Sequence, residues 1–166
     1  TQEDIKSQME TEDGLKGWEL KDVSEKIDGE EYVGFNAVAP ESITKDILDC
    51  LGNKKLQIAF GVESSNEYIR NQIHKKGLDE NTYIKAMNIL LDLNVHVLIY
   101  VFVKPPIPYI TDDEAIDDAM KTIKDSFDKG AYAVELECGY IVENSDMYNL
   151  YKNGRYLLFF EKYSKC

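Results

Sequence analysis

The sequence lacks the short motifs on which many nucleotide-binding and hydrolase sites depend. Its 166 residues contain no G-x-G-x-x-G, no P-loop and no G-x-S-x-G elbow. Folds that hold a nucleotide on such glycine loops are therefore disfavoured. No run reaches the ~20 apolar residues that a membrane-spanning helix needs. The opening TQEDIKSQMETEDG also lacks the basic start and apolar core of a signal peptide, so we expect no membrane partner.

Cysteine is scarce, and its spacing excludes a local metal knuckle or redox dithiol. Cys50, Cys138 and Cys166 are widely separated, and no pair falls at C-x-x-C spacing. An odd number of scattered thiols is typical of a reducing compartment, which predicts a cytoplasmic location. The two histidines, His74 and His96, show no ligand spacing either.

Basic charge is in the minority. Lys and Arg number 19 against 31 Asp and Glu, which gives a formal net charge of −12. Such a surface does not hold a polyphosphate backbone by bulk charge. The local basic runs NKK (53–55) and HKK (74–76) are typical of solvated helix ends. The chain begins with Thr1 rather than Met, which we interpret as the start of a piece excised from a longer protein.

From residue 31 onward, apolar segments alternate between strand and helix patterns. Residues 1–30 form a polar lead-in without continuous periodicity, which we expect to be poorly ordered. Strands are predicted over 31–40, 56–62, 95–103 and 131–138. Helices are predicted over 41–52, from about 66 to 77, from 80 to a left-handed stop at Asn94, and from 111 to 130. An aromatic tail with a short helix to about 152 ends the chain.

The helical patterns also predict which faces are buried. In the helix after Asp79, the apolar stripe consists of Ile84, Met87 and Leu91. Thr111 and Glu114 form a T-x-x-E capping box at the start of the next helix. That helix is predicted to bury Ile116, Met120, Ile123 and Phe127.

The order of these elements predicts an α/β fold whose parallel strands are joined by right-handed helical crossovers. Polar residues follow several of the strands, in the segments VESSN, VKPP and VELECGY. Because the carboxyl ends of parallel strands share one edge, a common site is expected there. The candidate site residues are Glu63, Ser64, Ser65, Lys104, Glu135 and Glu137.

Each of these residues also has a structural interpretation. Ser64, Ser65 or Asn66 could cap the following helix. Glu63 ends a buried strand, so its carboxylate needs partners, and it could accept hydrogen bonds from a ribose diol. Glu135 and Glu137 have the same parity in their strand, which indicates a wet cavity or barrel interior.

Residues 61–106, GVESSNEYIRNQIHKKGLDENTYIKAMNILLDLNVHVLIYVFVKPP, resemble the middle of the radical S-adenosylmethionine (radical SAM) core. There, a strand ending in G-hydrophobic-E-[ST] precedes a helix, a KG turn and a second helix. The segment KPPIPYITDDEAIDDAMKTIKDSFDKGAYAVELECGYIVENSDMYNLYKNGRY (104–156) is similar to the family of the radical SAM subunit of archaeosine synthase. That family acts on a deazaguanine in tRNA. The resemblance covers roughly residues 31–156.

The resemblance implies a partial (β/α), TIM-barrel-like core of an oxidoreductase or lyase. Glu63 with Ser64 or Ser65 would contact S-adenosylmethionine, and Lys104, Glu135 and Glu137 would face the substrate, a tRNA base or modified nucleobase. The family's four-iron four-sulfur cluster is held by C-x-x-x-C-x-x-C, which this chain lacks. We therefore expect residues 31–166 to be the C-terminal part of such a core, inactive alone, whose parent carries the cluster.

Two other interpretations stay open. The chain could be a cluster-free (β/α) ligand-binding or scaffold module, or a barrel enzyme with Glu135 and Glu137 as acid and base. The sheet edge left by a truncated core could also be covered by a second copy, giving a homodimer.

Overall fold

The computed structural model describes residues 19–21, 32–36, 48–49 and 54–158. Most of the polar lead-in, the helix expected over 41–52 apart from residues 48–49, and the tail beyond residue 158 lie outside the described residues. Leu48 and Asp49 are helical, as expected.

The described elements alternate between strand and helix from β2 onward. They are β1 (Glu19–Lys21), β2 (Tyr32–Asn36), β3 (Lys55–Glu63), α1 (Ile69–Ile73, a π-helical turn), α2 (Glu80–Asp92), β4 (His96–Val103), α3 (Asp112–Asp128), β5 (Ala133–Cys138) and α4 (Asp146–Lys152). Among these helices, none combines the length and the apolar character needed to cross a bilayer.

The strands form a sheet in the order β1-β2-β3-β4-β5. β1, which the sequence patterns did not indicate, pairs antiparallel with β2, with Leu20 opposite Phe35. β2 and β3 pair in parallel, with Gly34 opposite Gln57. β3, β4 and β5 are neighbours joined by helical crossovers, which keeps them parallel. The predicted α/β fold with parallel strands is therefore confirmed, as an open sheet.

The chain divides into two compact units. The first contains 1–60, 81–99 and 129–133, and most of α2 belongs to it. In its core, α2 buries Tyr83, Met87 and Leu90, and the Tyr83 ring meets Phe60 edge-on at 6.0 Å between centroids. The predicted stripe of Ile84, Met87 and Leu91 was wrong in two of its positions, since Ile84 and Leu91 are exposed. The large Tyr83 ring fixes the rotation of the helix. Asn94 adopts the predicted left-handed stop, with φ 54°.

The second unit contains 61–80, 100–128 and 134–166, and α3 is its longest helix. α3 buries a column of short side chains: Ala115, Ala119, Thr122 and Ser126. The predicted buried face was therefore wrong, because Ile116, Met120 and Phe127 are exposed and Ile123 is only partly buried. Short side chains let the helix lie close to its neighbours. Thr122 fixes the rotation of α3 about its own axis by accepting a hydrogen bond from the Ser65 amide (2.8 Å).

The capping box at the start of α3 is confirmed. Thr111 Oγ1 accepts a hydrogen bond from the Glu114 amide at 3.2 Å, and Glu114 Oε2 accepts from the Thr111 amide at 2.9 Å and from its hydroxyl at 2.8 Å. The two bonds from Thr111 to the Glu114 carboxylate hold the pKa of Glu114 below its usual 4.5, and the bond from the backbone amide is the larger cause.

We predict that Thr111→Ala lowers the free energy of unfolding by about 1 kcal/mol, because the helix loses its N-terminal acceptor. Urea unfolding followed by circular dichroism measures this. The folded-state pKa of Glu114 is depressed, so its contribution is present above the unfolded pKa of 4.5 and is lost as the pH falls through the folded value. The difference between wild type and variant should therefore shrink in acid. The variant keeps the bond from the amide of residue 111, so a constant difference from pH 7 to pH 3 would contradict the role of the bond between the Thr111 hydroxyl and the Glu114 carboxylate.

Candidate functional site at the carboxyl ends of the strands

The ends of β3 and β4 share an unusual backbone conformation. Glu63, the last residue of β3, has φ 65°, and Lys104, which follows β4, has φ 66°. Residues other than glycine rarely adopt this left-handed region, and such torsions cluster at functional sites. Two of the six residues predicted from the sequence as site residues, Glu63 and Lys104, thus lie where the backbone turns sharply.

The Glu63 carboxylate folds back over its own strand. Glu63 Oε1 forms an ion pair with Lys76 Nζ at 2.9 Å, and both atoms occupy the space beside Gly61. A Cβ at residue 61 would collide with Glu63 Oε1 and would lie 2.8 Å from Lys76 Nζ. Gly61 is therefore required for this pair, and the Glu63 side chain is only 15% exposed.

His74 completes this group, which we call the Glu63 cluster: Glu63, His74 and Lys76. The imidazole lies against the Phe102 ring, with centroids 4.8 Å apart, and its Nε2 is buried without a partner among the described residues. Burial is the largest influence and lowers the pKa of His74 below 6.5, while Glu63 raises this pKa and Lys76 lowers it. The ring is therefore neutral at pH 7, and its Nε2 is shielded from solvent.

The segment after β5 lies close to the same aromatic ring. A Cβ at Gly139 would collide with Phe102 Cζ and lie 2.8 Å from Met147 Cε in α4. Phe102 therefore lies between His74 and the backbone of residue 139, and gives the Glu63 cluster an apolar wall.

Lys104 directly follows β4, the strand next to β3, and its side chain is bonded within the protein. Its side chain is 4% exposed, and Nζ bonds Asp112 Oδ1 at 2.7 Å. The Lys104 carbonyl accepts a hydrogen bond from the Tyr156 hydroxyl at 2.7 Å. Burial is the main cause that raises the pKa of Tyr156 to about 12, so this hydroxyl stays a donor. Lys104 thus ties the start of α3 to the residues after α4.

Ser64 and Ser65 contact α3 rather than the Glu63 cluster. Ser64 is fully buried, and its hydroxyl donates to Asp118 Oδ1 at 2.9 Å and accepts from the Asn66 amide at 3.1 Å. Asn66 Oδ1 accepts from the Tyr68 amide, so Asn66 is the residue that caps the following helical turn. The strand ends at Glu63, whose side chain bonds Lys76, whereas the side chain of Ser64 bonds α3.

A cleft of about 580 Å³ opens beside α3. Asp118 lies in its wall, and Asp118 Oδ2 is buried without a partner among the described residues. Burial is the largest influence and raises the pKa of Asp118, while the Ser64 bond lowers it. The cleft is lined by Ser65, Asn66, Ile69, Ile107, Pro108, Tyr109, Ile110, Glu114, Asp117, Asp118 and Lys121.

Glu135 and Glu137 are exposed on β5, which ends the sheet in the part of the chain that the structure describes. The neighbour of β5 in the sheet is β4, which Lys104 directly follows. The role of Glu135 and Glu137 in substrate contact stays a prediction.

The sequence patterns missed three residues: His74 and Lys76, which were interpreted as part of a solvated helix end but lie beside Glu63, and Arg70. The guanidinium of Arg70 is completely buried and donates to the carbonyls of Ser64 (3.1 Å) and Leu78 (2.7 Å) and to Glu80 (3.1 Å). A charged residue within an amphipathic helix is usually solvated, so no periodicity signalled it. The only sequence signal was its place directly after the buried Ile69.

The described residues do not fit an iron–sulfur cluster. Within residues 54–158 and the three short described stretches, no group of three His, Cys, Asp or Glu side chains could hold a metal ion. Cys138 is the free cysteine on β5, and it is exposed. No step of chemistry can therefore be assigned to a cluster on these residues.

Comparison with known proteins gives distant, partial matches. An uncharacterized protein of Methanocaldococcus jannaschii is 26% identical over 120 residues, which cover 70% of this chain and 32% of that protein. Archaeosine synthase subunit beta of Methanosarcina acetivorans is 29% identical over 91 residues, which cover 55% of this chain and 25% of that protein. The chain therefore spans a third or less of these relatives. No family model matches the chain.

We predict that the pKa of His74 responds to its neighbours in opposite directions. Glu63→Gln removes the charge that raises this pKa and should lower it further, whereas Lys76→Met removes the charge that lowers it and should raise it. Titration of the histidine ring protons by NMR measures both shifts.

Glu143→Gln, a change at an exposed carboxylate, is the matched control and should leave the His74 titration unchanged. Shifts of the same sign in the Glu63 and Lys76 variants would contradict the Glu63 cluster as described.

Proposed function

We propose that this chain supplies later strands of a radical SAM core in a protein that modifies a tRNA base. Two findings support the proposal. The chain is similar over 91 residues to archaeosine synthase subunit beta. Its strands β3 to β5 follow one another in the sheet with helical crossovers, as a partial (β/α) core requires.

The observation that carries the proposal is the Glu63 cluster. A carboxylate at the end of a parallel strand accepts hydrogen bonds from a ribose diol in nucleotide sites. Glu63 is held in place by Lys76 and by the space beside Gly61, so its carboxylate is oriented before any ligand binds.

S-adenosylmethionine bound at a reduced cluster supplies one-electron chemistry in this class of enzyme. The residues of this chain would bind and orient the nucleoside: Glu63 the ribose, and the Phe102 ring an apolar side of the ligand. Ser64 and Lys104 have their polar atoms bonded within the protein, so we assign them to support of the site rather than to ligand contact.

We predict that the 166-residue chain binds S-adenosylmethionine and that Glu63→Gln weakens binding about tenfold or more, because charge-assisted hydrogen bonds to the ribose are lost. Isothermal titration calorimetry measures the dissociation constant, with Glu143→Gln as the matched control. Equal affinity of Glu63→Gln and wild type, or no binding by the folded wild-type chain, would contradict the assignment of Glu63.

We also predict that cells without the gene for this chain lose one modified tRNA nucleoside and accumulate its precursor. Mass spectrometry of nucleosides from total tRNA tests this, with the complemented strain as control. An unchanged nucleoside profile would contradict the tRNA substrate, whatever the outcome of the titration.

The second candidate function is a ligand-binding module without a cluster, and the cleft beside α3 favours it. In that case a small ligand would bind on the helix side, away from Glu63. Ser65→Trp would fill this cleft. Nucleoside binding that survives Glu63→Gln but disappears in Ser65→Trp would support this candidate over the first.

A further inference from the structure

The helix α3 exposes a stripe of large apolar side chains. Met120 is 59% exposed, Phe127 50% and Ile116 44%, and Ile123 between them is partly exposed. We call these four residues the α3 stripe. The α3 stripe lies directly beside the buried column of short side chains. The helix therefore has two faces without charged residues, and the described residues bury only the face with the short side chains.

The spacing of the α3 stripe matches a helix-pairing seam. Its residues follow one another at intervals of four, three and four positions, as core residues of a two-helix coiled coil do. Scattered exposed apolar residues need no explanation, but a continuous row with this period presents a seam to another helix.

The spacing of the α3 stripe is the same when it is followed from either end of the helix. In an antiparallel pair with a two-fold axis beside the midpoint of Met120 and Ile123, Ile116 meets Phe127 of the other copy. Met120 likewise meets Ile123 of the other copy. The stripe is therefore complementary to itself in this orientation, and a C₂ pair is the simplest closed assembly of identical chains.

The charges beside the stripe match the same arrangement. Asp117 and Lys124 each directly follow a stripe residue and are seven positions apart, so they lie on one flank of the seam. The other flank is occupied by the buried Ala119 and Ser126. In the antiparallel pair, Asp117 of one copy faces Lys124 of the other, and the two-fold axis repeats this pair. A parallel pair brings no such opposite charges together.

Within each chain, these charges already form helical pairs with Lys121 and Asp128. All four side chains are more than 60% exposed, so they are free to turn toward a second copy at little cost. The β5 edge of the sheet is a less suitable contact, because β5 exposes Glu135 and Glu137, and like charges there oppose edge pairing.

We propose that α3 pairs antiparallel with α3 of a second copy of this chain through the α3 stripe. The stripe alone is far smaller than the roughly 800 Å² per partner of a standard interface. The dimer is therefore weak, and its population depends on protein concentration. This proposal is independent of the tRNA-modifying function.

Analytical ultracentrifugation of the 166-residue chain between about 1 and 200 µM tests the proposal, a range suited to a weak interface. Wild type should show a reversible monomer–dimer equilibrium. Asp117→Lys alone and Lys124→Asp alone each convert both interhelical pairs to repulsion and should weaken association about tenfold. The double variant Asp117→Lys with Lys124→Asp restores opposite charges and should return association toward wild type.

Mixing the two single variants provides a second readout. Their heterodimer contains two attractive pairs, so an equimolar mixture should associate more strongly than either variant alone. Met120→Lys should abolish the dimer, while Glu143→Gln should leave it unchanged. Circular dichroism confirms that each variant keeps its helix content.

A wild-type chain that stays monomeric over the whole range would overturn the proposal, as would a double variant no better than the single ones. A dimer that survives Met120→Lys but is lost in Leu136→Lys would place the contact on β5 and would also overturn it.

Discussion

The buried guanidinium of Arg70 is the interaction on which the candidate site depends. It donates hydrogen bonds to the carbonyl of Ser64, the residue after Glu63, to the carbonyl of Leu78 and to the carboxylate of Glu80 at the start of α2. A buried charge is costly unless its hydrogen bonds are satisfied, and the guanidinium here donates to two carbonyls and a carboxylate. Arg70 therefore fixes both sides of the loop in one geometry, and lysine, with a single point charge, could not bridge the same acceptors.

The π-helical turn α1 explains how Arg70 and the Glu63 cluster coexist in so short a segment. The His74 amide bonds the Ile69 carbonyl at 3.0 Å, five residues back, so the turn holds one residue more than an α-turn. Ile69 and Arg70 face inward, while His74 and Lys76 leave the turn beside Glu63. The strand end, the wide turn and the buried cation thus form one structural unit that orients the carboxylate.

The sequence was informative where local physics decides the outcome. Alternating strand and helix patterns predicted the parallel sheet, and the capping box and the Asn94 stop depend on a few neighbouring atoms. The buried helix faces could not be predicted, because α3 packs through short side chains and leaves Met120 exposed, which inverts the usual relation of size and burial. The bonding partners of Glu63 and Ser64 could not be predicted, because the left-handed turn at Glu63 directs its carboxylate to Lys76, while the Ser64 hydroxyl bonds Asp118 of α3. Arg70 could not be recognised, since two of its acceptors are backbone carbonyls that any residue type supplies and the third, Glu80, is ten positions away.

The left-handed backbone at Glu63 and Lys104 limits how these two positions tolerate substitution. Glycine adopts such torsion angles with no steric penalty, and valine or isoleucine would meet a severe one. Replacement by glycine would therefore relax the main chain at either position, but it would also remove the functional group of the side chain. A library that scores only folding would enrich glycine at residue 63, whereas the buried bond of Lys104 Nζ to Asp112 opposes the same replacement at residue 104. One that also selects for ligand binding would keep the carboxylate at residue 63 alone, and this contrast would separate the role of the side chain from the demands of the turn.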